Sequence, residues 1–198
     1  MYTFMEMPLE SKLFFTVDNI FSTKVLNLLE PYAKLLPTDK SSYDVWPNKS
    51  TNNKTAPECF TCDVLGKDRL VIIDELFNNI NLPCYQKKWL KDCDIAVQKI
   101  PEGGFIPKHS DFCMFSLTVF LTECVGGEFC WWDENNNKIL VAPMHNRGVF
   151  ATYNSFYRGA NHKVLEVKEN LRITLQLFVF NKKSKEKISA IIEDDVNE

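Results

Sequence analysis

From about residue 94 to residue 180 the chain is a succession of short apolar runs broken by Gly, Pro and Asn: "DIAVQKI", "FSLTVFLTE", "GGEFCWW", "KILVAPM", "GVFATYN", "NHKVLEV" and "LRITLQLFVF". The runs are rich in Phe, Val and Thr, and the breakers fall where tight turns are needed. Short strands at this spacing have few ways to bury their apolar faces. An antiparallel sandwich or barrel is the expected one.

The upstream part has a different texture. Residues 12 to 36 read as a short strand, a turn and a helix, with Ser22 or Thr23 as N-cap and Val25, Leu28, Leu29 and Tyr32 at helical spacing. Residues 37 to 63 are polar, contain Pro37, Pro47 and Pro57 and show no apolar period, so they read as a long loop. "DRLVIIDELFNNINLP" reads as a helix or a strand-helix pair, and the charged ending "NKKSKEKISAIIEDDVNE" as a helix or frayed tail. A chain of 198 residues is enough for one core. The expected organisation is therefore a single domain over 1–198: support from 12–93, the strand-rich core over 94–181 and the tail over 182–198.

Charge and cysteines narrow the setting. A net charge of -3 gives no general attraction to phosphate backbones, so nucleic acid is not the favoured partner. No run approaches the roughly 18 apolar residues of a membrane helix, and the N-terminus lacks the pattern of a signal peptide. With 7 scattered cysteines, this points to a reducing, cytoplasmic compartment and to thiols instead of disulfides. Cys59, Cys62, Cys84 and Cys93 are also candidate ligands of a second metal, although their spacing departs from the usual zinc patterns.

The polar residues that interrupt the strand-rich part carry the chemistry. His109 and Asp111, in "GGFIPKHSDF", stand one residue apart, so on an extended segment both project to one face. Taken alone the pair fits a metal site, a catalytic pair or a solvated turn. His162 follows in "NHKV", and Arg172 comes ten residues later in "LRITLQLF". Two imidazoles and one carboxylate form the facial triad suited to non-heme Fe(II). Along the last run Arg172, Thr174 and Gln176 share one face, with Ile173, Leu175 and Leu177 on the other. A guanidinium pointing into a barrel needs an anion, and its planar fork matches a carboxylate, which 2-oxoglutarate would present.

In "GGFIPKHSD", "SLTVFLTECVGGEFCW", "APMHNRGVFATYN", "NHKV" and "LRITLQLF" the chain resembles the Fe(II)/2-oxoglutarate-dependent dioxygenases, and most closely their prolyl 4-hydroxylase-like branch. The resemblance covers about residues 94 to 180. It implies a mostly β fold with flanking α elements: a double-stranded β-helix (jelly roll) core supported by N-terminal helices. It implies His109, Asp111 and His162 as catalytic iron ligands and Arg172 as the 2-oxoglutarate anchor, with Thr174 and Phe120 beside it. Phe120 stands where the family often has a tyrosine, and Thr118 or Thr174 is a candidate to replace the missing hydroxyl. Collagen-type enzymes commonly have lysine where this chain has Arg172.

The implied cofactors are Fe(II), 2-oxoglutarate and O2, with ascorbate as a candidate reductant. The implied reaction is hydroxylation of a C–H bond of a peptide or protein side chain, proline among them, coupled to oxidative decarboxylation of 2-oxoglutarate to succinate. The alternatives are the same chemistry on a free amino acid, another small molecule or a nucleobase, or a non-catalytic jelly-roll binding module. Trp131 and Trp132 alternate, so one should face the interior and the other the solvent or substrate. Trp132, Arg147 and Arg158 are the candidate substrate residues, and His145 reads as a surface turn residue.

Overall fold

In the computed structural model the described residues are 14–36, 59–79, 93–109, 111, 113, 115–133, 135–152 and 161–179. The charged tail, residues 37–58 of the polar loop, Cys84 and Arg158 lie outside them. The elements are β1 (Phe14–Asp18), α1 (Thr23–Leu35), β2 (Phe60–Asp63), α2 (Gly66–Asn79), β3 (Asp94–Ile100), β4 (Ile106–His109), β5 (Phe115–Phe120), β6 (Val125–Gly126), β7 (Phe129–Trp132), β8 (Lys138–Val141), β9 (Arg147–Thr152), β10 (His162–Val164), β11 (Val167–Glu169) and β12 (Arg172–Val179). They form a jelly roll. A six-stranded sheet in the order β1-β9-β5-β12-β3-β2 packs with a four-stranded sheet, β4-β10-β7-β8, and β11-β6 make a small ribbon. Every strand pairing is antiparallel.

Alternation along the large sheet separates two interiors. On β12, Ile173, Leu175, Leu177 and Val179 join Ile95 and Val97 of β3 and Phe115, Leu117 and Val119 of β5 in one apolar core. Val25 and Leu29 of α1 and Ile72, Ile73 and Leu76 of α2 bury against that same face. The opposite face carries Arg172, Thr174, Gln176, Gln98, Ser116 and Thr118, all buried although polar. Buried polar groups survive only when bonded, and here Thr118 Oγ1 donates to Gln176 Oε1 (2.8 Å) while Gln176 Nε2 donates to Thr174 Oγ1 (2.9 Å).

The helices are fastened by side chains of distant elements. Ser22 stands at the N-cap of α1, as its hydroxyl suggests, but makes no side-chain cap bond there. Instead its Oγ and its backbone N–H both donate to the carboxylate of Glu75 on α2. That places a negative charge at the N-terminus of α1, where the helix dipole favours it. Tyr32 of α1 donates to Asp68 Oδ2 (2.7 Å), and this bond is the main reason its phenol is pushed up to about 12. At the other end of α1, Lys99 Nζ donates to the Leu36 carbonyl (2.5 Å).

Residues 60–63, expected as loop, are an edge strand on β3; four residues next to prolines and Asn/Lys are too short to show a period of two. "DRLVIIDELF" is helical throughout, within α2. Two special positions bind the front of the chain to its middle. Asn146 adopts φ 61°, which Asn tolerates, and its side chain pairs with the Phe21 backbone through Oδ1 (2.9 Å) and Nδ2 (2.8 Å). Gly148 faces the helical core, where an added Cβ would fall 1.9 Å from Ile20 Cδ1. Gly148→Ala is therefore expected to lower stability by roughly 1–3 kcal/mol through overpacking, read as a shifted urea midpoint at unchanged slope.

Candidate active site

β10 lies between β4 and β7, and its register sets His162 opposite both His109 and Trp131. Paired residues of an antiparallel ladder project to the same side, so the two imidazoles meet, with ring centroids 4.3 Å apart. Asp111 sits two residues beyond His109. Its Oδ1 lies 3.4 Å from His109 Nε2 and its Oδ2 3.4 Å from His162 Nε2. All three ligand atoms fall within 4.8 Å of one another. Donors each about 2.0–2.2 Å from one ion and at right angles sit roughly 3 Å apart, so the set fits a divalent metal with little adjustment.

The surroundings prepare these donors. His109 Nδ1 is 2.8 Å from the Pro107 carbonyl, which makes Nδ1 the donor and leaves the Nε2 lone pair aimed at the cluster. Burial works against the charged ring of His109, but the bonds to Asp111 and Pro107 outweigh it, and its pKa lies above the ordinary value. Phe129 stacks on His162 (4.9 Å, 13°) and Phe14 meets it edge-on (6.2 Å, 68°). Phe14 in turn stacks on Trp131 (5.0 Å, 24°). This aromatic wall keeps water from one side of the cluster.

Arg172 opens β12 and is fully buried on the inner face. Its Nε donates to the Gly127 carbonyl (2.9 Å), its guanidinium lies 5.1 Å from the Phe120 ring, and Nη1 and Nη2 have no hydrogen-bond partner. Burial lowers its pKa to about 10, with Cys124 and Cys59 opposing the shift, so it stays cationic at neutral pH. A buried cation with two orphaned donors is expensive unless an anion joins it. Phe120 packs in one cluster with Phe14 and Phe129, which links this anion slot to the wall of the His–Asp–His group. Of the two candidate hydroxyls, Thr118 spends its proton on Gln176, whereas Thr174 accepts from Gln176 and keeps its own proton to donate.

The candidate substrate residues part company. Trp132 faces outward, under Lys108 Nζ at 4.3 Å and Lys163 Nζ at 5.9 Å. Trp131, not Trp132, lines the metal side. Arg147 is engaged by Asp18 through Nε–Oδ1 (2.6 Å) and Nη2–Oδ2 (3.0 Å), at the opposite end of the β1–β9 ladder from Phe14. His145 is exposed in its turn.

None of the described cysteines is in a disulfide. His109, Asp111 and His162 are the metal-capable group among the described residues; Cys59, Cys62 and Cys93 form none there. Burial and then the nearby Asp111 charge push the Cys113 thiol up, which works against easy oxidation. Sequence reading passed over Phe14 and Phe129, and left open which of Trp131 and Trp132 faces in. The strand parity of "FCWW" was the signal for Trp131, but only register decides which parity faces in.

No family model and no curated protein matches the chain. Solved structures do match its fold. A prolyl-4-hydroxylase from Pseudomonas putida superposes with TM-score 0.61 at 16% identity, covering 85% of this chain and 93% of that one. A Trichoplax adhaerens prolyl hydroxylase, in complex with a hypoxia inducible factor oxygen degradation domain peptide fragment, superposes with TM-score 0.64 at 14% identity over 90% and 88%. A Burkholderia pseudomallei oxidoreductase of the 2OG-Fe(II) oxygenase family gives 0.57 at 14% over 84% and 84%. At these identities the likeness is one of fold.

Proposed function

We propose that this chain is an Fe(II)- and 2-oxoglutarate-dependent dioxygenase that hydroxylates a C–H bond of a peptide or protein side chain, with proline the first residue to test. The observation that carries the reading is the pair of orphaned Arg172 nitrogens, buried in the interior that also holds the His109, Asp111 and His162 group. Similarity of fold to prolyl hydroxylases, one bound to a peptide, supports the substrate class. In this reading residues 94–181 are the catalytic core and 12–93 its support.

Bound iron with 2-oxoglutarate and O2 supplies the oxidising power for C–H hydroxylation, with decarboxylation of the co-substrate to succinate. The chain's own share can be derived residue by residue. His109 and His162 would hold the iron through Nε2 and Asp111 through its carboxylate. Arg172 presents Nη1 and Nη2 to the far carboxylate of the co-substrate, and the Thr174 hydroxyl has a proton to add to the same group. Phe14, Phe129 and Trp131 exclude water and hold the His162 ring in place.

The test is succinate release from 2-oxoglutarate with Fe(II), with and without ascorbate, against separate pools of peptides, free amino acids and nucleic acids. The expected result is peptide-stimulated succinate and a peptide product about 16 Da heavier, the mass of one oxygen. Stimulation by amino acids or nucleic acid alone would transfer the reading to a small molecule or a nucleobase. No 2-oxoglutarate binding by the metal-loaded chain would leave a binding module.

A further inference from the structure

We propose that Gly127, at the turn between β6 and β7, is the residue that positions the co-substrate: its carbonyl aims the Arg172 guanidinium, and its missing side chain leaves room for that guanidinium to pass. The proposal rests on the 2-oxoglutarate reading of the Arg172 slot and deepens it. The carbonyl accepts from Nε at 2.9 Å, while Nη1 and Nη2 stay without partners. A neutral acceptor orients the planar fork without cancelling its charge. A carboxylate at the same point would orient it equally well, but it would also neutralise the cation and close the slot to an anionic ligand.

The space argument is independent of the bond. Gly127 has φ +66°, and an added Cβ would fall 3.0 Å from Arg172 Cδ, 3.1 Å from Cys124 Sγ and 3.2 Å from Val167 Cγ2. Arg172 and Val167 are fully buried, so neither can swing away. The turn itself cannot retreat. Gly127 N–H donates to the Glu166 carbonyl (3.0 Å), and a Cβ on the preceding Gly126 would strike that same oxygen at 2.2 Å. Residue 126 is moreover held by β11 in the small ribbon. A Cβ at 127 therefore presses hardest on the Arg172 stem, and a shift of a few tenths of an ångström there carries the two nitrogens at its end with it.

The experiment uses calorimetry on the Mn(II)-loaded chain, with 2-oxoglutarate as the titrant, so binding is read without turnover. Gly127→Ala is expected to weaken 2-oxoglutarate binding by about tenfold or more, as misplacement of an orienting group does. Mn(II) affinity should stay within about twofold, since no metal ligand has moved. In an Arg172→Met background the same glycine change should alter 2-oxoglutarate binding by less than about twofold, because nothing is left to aim. Unchanged 2-oxoglutarate binding in the single variant, or an equal loss in both backgrounds, overturns the proposal.

Should Gly127→Ala fail to fold, the unaltered chain still decides. By 15N NMR the Arg172 Nε–H should exchange slowly with solvent both before and after 2-oxoglutarate is added, with new protection confined to the terminal nitrogens. An Nε–H that exchanges at the bulk rate overturns the role of Gly127 even if 2-oxoglutarate binds. A wild-type chain that binds no 2-oxoglutarate, with Nε–H still protected, overturns the co-substrate reading and the positioning role with it.

Discussion

Arg172→Met should make the protein more stable and much less able to use 2-oxoglutarate, two effects of opposite sign from one substitution. The stability gain follows from burial: the guanidinium is fully buried, and the described protein groups offer two of its nitrogens no partner. Exchanging buried ionic groups for an apolar chain of similar volume is often neutral or stabilising by about 1–4 kcal/mol, and Phe120 already offers the methionine an apolar surface. The functional loss follows from the same nitrogens. Removing one side of a buried charge pair costs about 2–5 kcal/mol, so the apparent KM for 2-oxoglutarate should rise by roughly 30-fold to several thousandfold. Chemical denaturation and succinate kinetics on one preparation measure both. A destabilised variant with unchanged co-substrate KM would mean that Arg172 is a structural residue.

His162→Ala should abolish metal binding and turnover together. His162 is the most buried of the three candidate ligands, faces His109 in register and contacts Asp111 Oδ2 at 3.4 Å. Two ligands rarely hold a divalent ion in competition with water. The loss should therefore exceed the roughly 10–100-fold that removal of an outer partner costs. Anaerobic Fe(II) titration and succinate release provide the readouts, with His145→Ala as control because that residue is exposed in its turn. Circular dichroism separates the effect from unfolding, since the alanine also removes a ring packed on Phe129. Full Fe(II) affinity in His162→Ala would remove it from the ligand set.

What could be read from the chain alone follows a physical division. An antiparallel sandwich or barrel was legible in the short apolar runs and their turn residues, and the jelly roll in the resemblance they carry; on β12 the period of two is plain, with Leu175 and Leu177 toward the helices and Thr174 and Gln176 toward the other sheet. That His109, Asp111 and His162 meet could be expected from their spacing relative to Arg172 and from the resemblance, whereas His109 and Asp111 alone fitted a solvated turn as well. Features that depend on a distant partner were not legible. Phe14 owes its place beside His162 to pairing with Ala151, which no local window contains. Trp131 and Trp132 differ only in parity, and the parity is set by the register against His162. The acceptor that aims Arg172 is a main-chain oxygen, which carries no residue signature at all.

The pairing of β1 with β9 also sets a clock on synthesis. Asp18 and Arg147, the last pair of that ladder, stand 129 positions apart. At about 5–20 residues per second, β1 leaves the ribosome roughly 6–26 seconds before its partner exists. During that interval its apolar side chains have no ladder to join. The strand made first among the described elements must thus wait for one made late, and Phe14 reaches the side of His162 only through that late pairing.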